Sequence, residues 1–195
     1  SQCNRMGGLD LVSPRYAEYQ PLGLGMKFRS HPLAMGIAQV QLRKLDALNA
    51  GRREWVNAVE AGLANVTCLS PLRRYEGAEP GGFYGFPVMY HPEALKAVPR
   101  ERLLEALNAA GAKAGGSGYG LLHLLPLFAR GFDVFTRGRG PLSGDYPGYK
   151  RGDLPASEDA HKRMIFLRVA TDPEPGLAER YVGAVKGGVA AAGRR

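Results

Sequence analysis

The sequence is poor in features that would place it outside the ordinary globular class. Its 195 residues include two cysteines, Cys3 and Cys68, which form neither a CxxC motif nor a disulfide framework. No apolar run approaches the roughly 20 residues that cross a bilayer, and no charged-then-apolar leader is present. These absences predict a soluble chain in the reducing cytoplasm that has no membrane partner.

Basic residues are in excess, but they are not clustered. The chain has 26 Lys and Arg against 18 Asp and Glu, a net charge of +8. There is no long Lys/Arg run, no zinc-finger spacing and no RNP-like aromatic motif. We therefore expect an anionic small molecule or an acidic partner chain as ligand, and neither a nucleic acid nor a metal ion.

The strongest pattern is one long helix, predicted from Ser30 to about Leu63. Ser30 can cap its start, and Pro32 lies in its first turn, where a missing N–H costs nothing. A segment of this length spans roughly 45–50 Å at 1.5 Å per residue. It is either a long core helix or a helix that lies across more than one body. Its apolar residues recur at helical spacing: Leu33, Ile37, Val40, Leu45, Leu48, Trp55, Val56, Val59 and Leu63.

The remaining elements are shorter. Residues 83–90 are aromatic and β-branched and predict a strand. Pro87 has no N–H to donate, so this strand is expected at an edge of the sheet. A helix is expected to open at Pro99 and close at Ala110-Gly111. Residues 157–162 predict a helix that leads into a strand over 164–169, and the final helix contains Leu177, with a frayed tail after Gly187.

This order predicts an α/β, α+β-like fold: a long N-terminal helix with a small, mostly antiparallel sheet covered by helices. We divide the chain into an irregular connector arm (1–29), a long interdomain helix (30–63) and a small C-terminal domain (64–195). The glycine-rich segment 111–120 precedes a short apolar element. It could cradle a phosphate on its backbone N–H groups or be a plain flexible loop.

Four stretches, taken in order, resemble aminotransferases of the DegT/DnrJ/StrS type. These are fold-type-I, pyridoxal-phosphate enzymes that act mainly on nucleotide-linked keto-sugars and cyclitols. The stretches are GLGMKFRSHPLAMGIAQVQL at 23–42 with KLD at 44–46, the aromatic strand at 83–90, the L-H-L-x-P-x-F core within 119–128, and 148–169 with DLPASE at 153–158.

The resemblance covers the C-terminal half of such enzymes, as the small domain of their fold. It implies that the large cofactor domain and its Schiff-base lysine lie elsewhere, because no lysine of this chain matches that position. Pyridoxal phosphate would then be shared with a partner chain that carries the N-terminal domain, or with a neighbour in a homo-oligomer of the complete enzyme. We expect no catalytic residue here and no transamination by this chain alone.

The resemblance also implies candidate binding residues. Gly25 and Lys27 match the Asn and Arg positions of a loop that holds the cofactor phosphate, although Lys27 could be an ordinary exposed lysine. Tyr119 and His123 match residues on the substrate side of the cleft. For His123 the alternative is a packed histidine in a short helix.

Two functions are compatible with these patterns. The first is one part of a split or truncated sugar aminotransferase whose active site is completed by another chain. The second is a non-catalytic, aminotransferase-like module that binds a partner or a nucleotide-sugar without chemistry.

Overall fold

The protein is described by a computed structural model that covers residues 30–78, 81–131 and 146–194. Over these residues it is a mixed α/β structure with a long helix at its start and a small antiparallel sheet. The predicted connector arm, 1–29, lies outside the described residues. The helices are α1 (Pro32–Leu63), α2 (Arg100–Ala109), α3 (Pro126–Arg130), α4 (Pro155–Arg163) and α5 (Leu177–Ala192), and the strands are β1 (Leu69–Pro71), β2 (Phe86–Tyr90) and β3 (Met164–Leu167).

Packing divides the chain into two compact units. Among the described residues, one contains 30–38, 118–131 and 146–159, and the other contains 39–78, 81–117 and 160–194. Two of the three boundaries between the units fall within α1 and within α4. The sheet and the main hydrophobic core belong to the second unit. The predicted role of α1 as an interdomain helix, and the predicted division of the chain at residue 64, stay predictions.

The sheet has the order β1-β2-β3, and both pairs are antiparallel. In β2 the side chains of Phe86, Val88 and Tyr90 are buried and alternate with less buried ones. This is the period of two that a half-covered strand requires. The Tyr90 hydroxyl donates to the carbonyl of Val98 at 2.6 Å, so its polar end is satisfied inside the core.

Pro87 lies in the central strand, so its predicted edge position is wrong. Pro87 faces Phe166 of β3, but both backbone polar groups of Phe166 are bonded to Gly115 on the other side, at 2.8 and 3.0 Å. The Pro87–Phe166 pair is therefore not a hydrogen-bonded one. On its other side β1 ends at Pro71, opposite Val88. Pro87 therefore lies at a position of the sheet where a backbone N–H would have no hydrogen-bond partner in either neighbouring strand.

The core is built on the second half of α1. Trp55, Val56, Val59 and Leu63 are its buried residues, and they recur on one face of the helix. They belong to the same buried cluster as residues from α2, β3 and α5: Leu103, Leu107, Ile165, Tyr181, Val182 and Val185. The pattern of apolar spacing therefore identified the correct face in this half of the helix.

The first half of α1 differs, because its apolar residues are exposed. Leu33, Ile37 and Leu42 are 73%, 64% and 69% exposed. At 100° per residue, Leu33 and Ile37 lie on one side of the helix and Leu42 lies on the opposite side with Met35. A helix that is apolar on two sides is normally covered on both. In the described part of the chain, no helix is both long and apolar enough to cross a membrane.

Helix α5 continues to Ala192, so the predicted fraying after Gly187 is wrong. The reason is a contact with α2. A Cβ at Gly188 would lie 2.8 Å from Leu107 Cα and 3.0 Å from the Ala106 carbonyl oxygen. Glycine therefore lets the two helices approach closely at this point. Ala192 is buried about one turn after the contact, which holds the last turn in place.

The neighbouring glycines of α5 give a matched test of this contact. Gly188→Ala should destabilise the protein by about 1–3 kcal/mol, because the methyl group overpacks against α2. Gly187→Ala should stabilise it by up to about 1 kcal/mol, because no atom lies within 4 Å of its Cβ position and alanine favours helix. Urea unfolding of the two variants measures both effects. Equal effects of the two substitutions would contradict the close approach.

Candidate functional site

The most enclosed polar cluster in the described residues surrounds His123. This residue lies in a single 3-10 turn, Leu122–Leu124, that leads into α3. Its side chain is 5% exposed, and its Nε2 lies 3.0 Å from Oε1 of Glu158. Glu158 is in the first turns of α4 and is also buried. A buried imidazole and a buried carboxylate therefore satisfy each other, as buried polar groups must.

Glu158 has further partners that favour its ionised form. The backbone N–H of Gly152 donates to Oε1 at 2.7 Å, and Arg151 Nη1 lies 3.9 Å from Oε2. The Gly152 N–H is the main cause that lowers the pKa of the Glu158 carboxyl, followed by the hydrogen bond from His123. Burial acts in the opposite direction but does not outweigh these contacts.

The turn before α4 is shaped to make these contacts. Gly148 and Gly152 have φ of +66° and +96°, which side-chain-bearing residues rarely adopt. A Cβ at Gly148 would overlap the carbonyl oxygen of Ala129. Between the glycines, the backbone N–H of Lys150 donates to Asp153 Oδ2 at 2.9 Å. The two glycines thus direct the Gly152 N–H onto the carboxylate.

Two tyrosines make further contacts in this unit. The ring of Tyr149 meets the His123 imidazole edge-on, with 6.3 Å between centroids and an interplanar angle of 82°. Tyr146 donates its hydroxyl proton to the Phe128 carbonyl at 2.9 Å. We call His123, Tyr149, Gly152 and Glu158 the histidine–glutamate cluster. It connects the turn before α4 to the 3-10 turn that contains His123.

The predicted site residues have different surroundings. His123 is enclosed in the cluster, whereas Tyr119 is 68% exposed. Gly25 and Lys27 lie outside the described residues. Binding of substrate by Tyr119 and His123, and of cofactor by Gly25 and Lys27, stays a prediction. In the described ranges no group of three or more His, Cys, Asp or Glu side chains could hold a metal ion.

Glu158 and Tyr149 were not among the predicted site residues. Both lie in the stretch 148–169, which carried part of the resemblance. A carboxylate three residues after a helix-starting proline, Pro155, was the available signal for Glu158. Nothing local pairs it with His123, because the two are 35 residues apart.

Comparison with known proteins identifies one family. The profile of the DegT/DnrJ/EryC1/StrS aminotransferase family matches residues 5–186 of the chain. Among curated proteins, none matches the chain.

Several solved structures share the fold. Aminotransferase TlmJ from Streptoalloteichus hindustanus is 22% identical, with a TM-score of 0.62 over 87% of this chain and 39% of its own. DesV from S. venezuelae, solved with a ketimine intermediate, is 18% identical, with a TM-score of 0.61 over 97% of this chain and 46% of its own. Helicobacter pylori PseC, an aminotransferase of pseudoaminic acid biosynthesis, is 15% identical, with a TM-score of 0.61 over 86% of this chain and 39% of its own.

The chain therefore spans 39–46% of the length of these three structures. The family uses pyridoxal phosphate, whose attachment needs a lysine amine within an enclosed site. The lysines of the described residues do not fit this requirement, since each of them is exposed: Lys44, Lys96, Lys113, Lys150, Lys162 and Lys186.

The contact between Gly152 and Glu158 is testable by pH titration. Because the folded pKa of Glu158 is lowered, its contribution to stability is present above the ordinary value of 4.5 and is lost as the pH falls through the folded value. The amide proton shift of Gly152, followed by NMR, should therefore titrate with an inflection below 4.5.

Glu158→Gln should abolish that inflection and reduce the loss of stability on acidification. Glu105→Gln, at an exposed position on α2, is the matched control and should leave both unchanged. An inflection that persists in Glu158→Gln, or that lies at or above the ordinary carboxyl pKa, would contradict the assignment.

Proposed function

Because this chain belongs to the DegT/DnrJ/EryC1/StrS aminotransferase family, we propose that it is the C-terminal portion of a pyridoxal-phosphate-dependent aminotransferase of the sugar or aminocyclitol type. The Schiff-base lysine is supplied by another chain, or by a segment that precedes this one. The chain then contributes the small-domain side of a shared site. It does not transaminate alone.

The first half of α1 is the observation that carries this proposal. Leu33 and Ile37 on one side, and Leu42 on the opposite side, expose most of their apolar surface. Exposing such residues on both sides of a helix is unfavourable in water, and exposed apolar surface of this kind marks an interaction site. The described structure places no hydrophobic layer over them. A cofactor domain of the relatives' kind would supply one, since these relatives are more than twice as long as this chain.

The remaining contributions follow from the predicted site residues. Lys27 would place a positive charge, and Gly25 a backbone N–H, near the cofactor phosphate. Tyr119 would contact the substrate from its exposed position. His123 would act from within the histidine–glutamate cluster, where Glu158 orients its imidazole at 3.0 Å. An anionic substrate is consistent with the net charge of +8.

The alternative is a non-catalytic, aminotransferase-like module that uses the same surface of α1 to bind a partner. The exposed lysines of the described residues are as compatible with this function as with the first. The two functions differ in the activity of the complex and not in its formation.

The proposal is tested by mixing the chain with a polypeptide from the same organism that carries the family's cofactor domain. We expect a complex in sedimentation velocity, and transamination of a keto-sugar nucleotide by the mixture and by neither component alone. Leu33→Glu and Ile37→Glu should weaken the complex by about tenfold or more, because each buries a carboxylate in an apolar contact.

Ala58→Glu is the control, since it adds the same charge at an exposed position in the second half of α1. A complex that forms without activity would favour the non-catalytic module. A chain that transaminates alone with added pyridoxal phosphate, or that ignores the cofactor-domain polypeptide altogether, would exclude the proposed division of the enzyme.

A further inference from the structure

A groove in the second unit, which none of the histidine–glutamate cluster residues lines, has the composition of a ligand site. Its volume is about 580 Å³, which is within the range of small-molecule pockets. Three separate segments line it: α1, the residues that precede β2, and the residues that follow β3. The lining residues are Leu45, Asn49, Arg52, Gly82, Phe83, Tyr84, Val169 and Thr171.

Arg52 is the only cation among the lining residues. Its Nε donates to Thr171 Oγ1 at 3.3 Å, and its Nη1 donates to Asn49 Oδ1 at 2.8 Å. Both acceptors are neutral, so they orient the guanidinium without cancelling its charge. Arg74, by contrast, has a carboxylate partner, Glu60, at 2.8 Å. Both N–H groups of Arg52 Nη2 remain for a ligand.

A close backbone contact next to Arg52 requires glycine at position 51. A Cβ at Gly51 would overlap the Thr171 carbonyl oxygen, and a Cβ at Gly82 would lie 3.0 Å from Asn49 Oδ1. Phe83, the next residue, has φ of +46°, which is strained for a bulky side chain. Strain of this kind is concentrated at binding sites, where the surrounding structure maintains it.

Tyr84 supplies a second recognition element. It lines the same groove, and its side chain is fully exposed. An exposed aromatic ring that lines the same groove as a guanidinium without a carboxylate partner offers a planar surface for a ring and a charge for an anion. From these observations we propose that the groove binds a small molecule in which a phosphate or carboxylate is attached to a planar ring. The anion contacts Arg52 and the ring lies on Tyr84.

The experiment is an NMR titration of the 195-residue chain with phenyl phosphate, followed at the amides of Gly82 and Thr171. Benzoate distinguishes a carboxylate from a phosphate. Inorganic phosphate and phenol separate the contributions of the anion and the ring. We expect saturable binding of phenyl phosphate or benzoate in the millimolar range or tighter, with weaker binding of the phosphate ion and of phenol.

Arg52→Gln should weaken the binding by about tenfold, the typical cost of losing a charge-assisted hydrogen bond. Arg53→Gln is the matched control, because it removes the same charge from the next, exposed position of α1. Since Arg52 also contacts Thr171, a second variant keeps the test independent of folding. Tyr84→Ala should weaken phenyl phosphate by roughly fivefold or more and leave inorganic phosphate unchanged, whereas Tyr75→Ala, at another exposed tyrosine, should change neither.

Equal weakening by Arg52→Gln and Arg53→Gln would show a diffuse attraction to a basic protein and would overturn the proposal. Absence of saturation by every probe would overturn it as well. Neither result bears on the division of the aminotransferase site, because the groove is tested without cofactor or partner.

Discussion

The junction of Trp55, Arg168 and Tyr181 is the constraint on which the second unit depends. The indole N–H of Trp55 donates to the Arg168 carbonyl at 2.7 Å, and the backbone N–H of Arg168 donates to the Tyr181 hydroxyl at 2.9 Å. The two rings meet at a centroid distance of 5.3 Å. Arg168, the residue that follows β3, thus has both of its backbone polar groups hydrogen-bonded to side chains of α1 and α5. This fixes where both helices lie on the sheet, and burial of the aromatic rings provides most of the driving force.

This junction also explains why α1 behaves as two halves. After Gly51 the helix is anchored through Trp55 and its neighbours in the core. Before it, the apolar residues have no comparable partner and are exposed on two sides. Helix α1 has 32 residues, and all of its buried residues lie in its second half. The first half therefore extends beyond the core and carries exposed apolar side chains. That combination, together with a family whose solved members are more than twice as long, is the physical basis for proposing a shared active site.

Much of the fold could be predicted from local patterns. The helix from Ser30, the helix from Pro99 and the strand from Met164 were each identified to within about two residues at their starts, because caps, proline positions and periodicity are local signals. The errors came from contacts between distant segments. Pro87 is tolerated in the central strand because β1 ends at Pro71 and because both backbone polar groups of Phe166 are hydrogen-bonded to Gly115. Neither contact can be predicted from the residues near position 87. The last turns of α5 are ordered because Gly188 packs on Leu107, which is far away in sequence.

The candidate site shows the same limit. His123 was identified through a resemblance, but its partner Glu158 was not, because the two residues are 35 positions apart in the sequence. Arg52 was not among the predicted site residues, and its role in a groove depends on Thr171, 119 residues away. Residue types alone do not distinguish a solvated arginine from one that neutral groups hold in place. The family resemblance, by contrast, was readable from four short stretches and is confirmed.

Amide hydrogen exchange along α1 tests the central claim most directly, because it reports the two halves of the helix separately. In the isolated chain, the amides of 55–63 should exchange slowly and those of 33–45 should exchange fast. Addition of the cofactor-domain polypeptide should slow exchange at 33–45 and leave 55–63 unchanged. Uniformly slow exchange over the whole helix in the isolated chain would show that its first half is already covered, and would contradict the account.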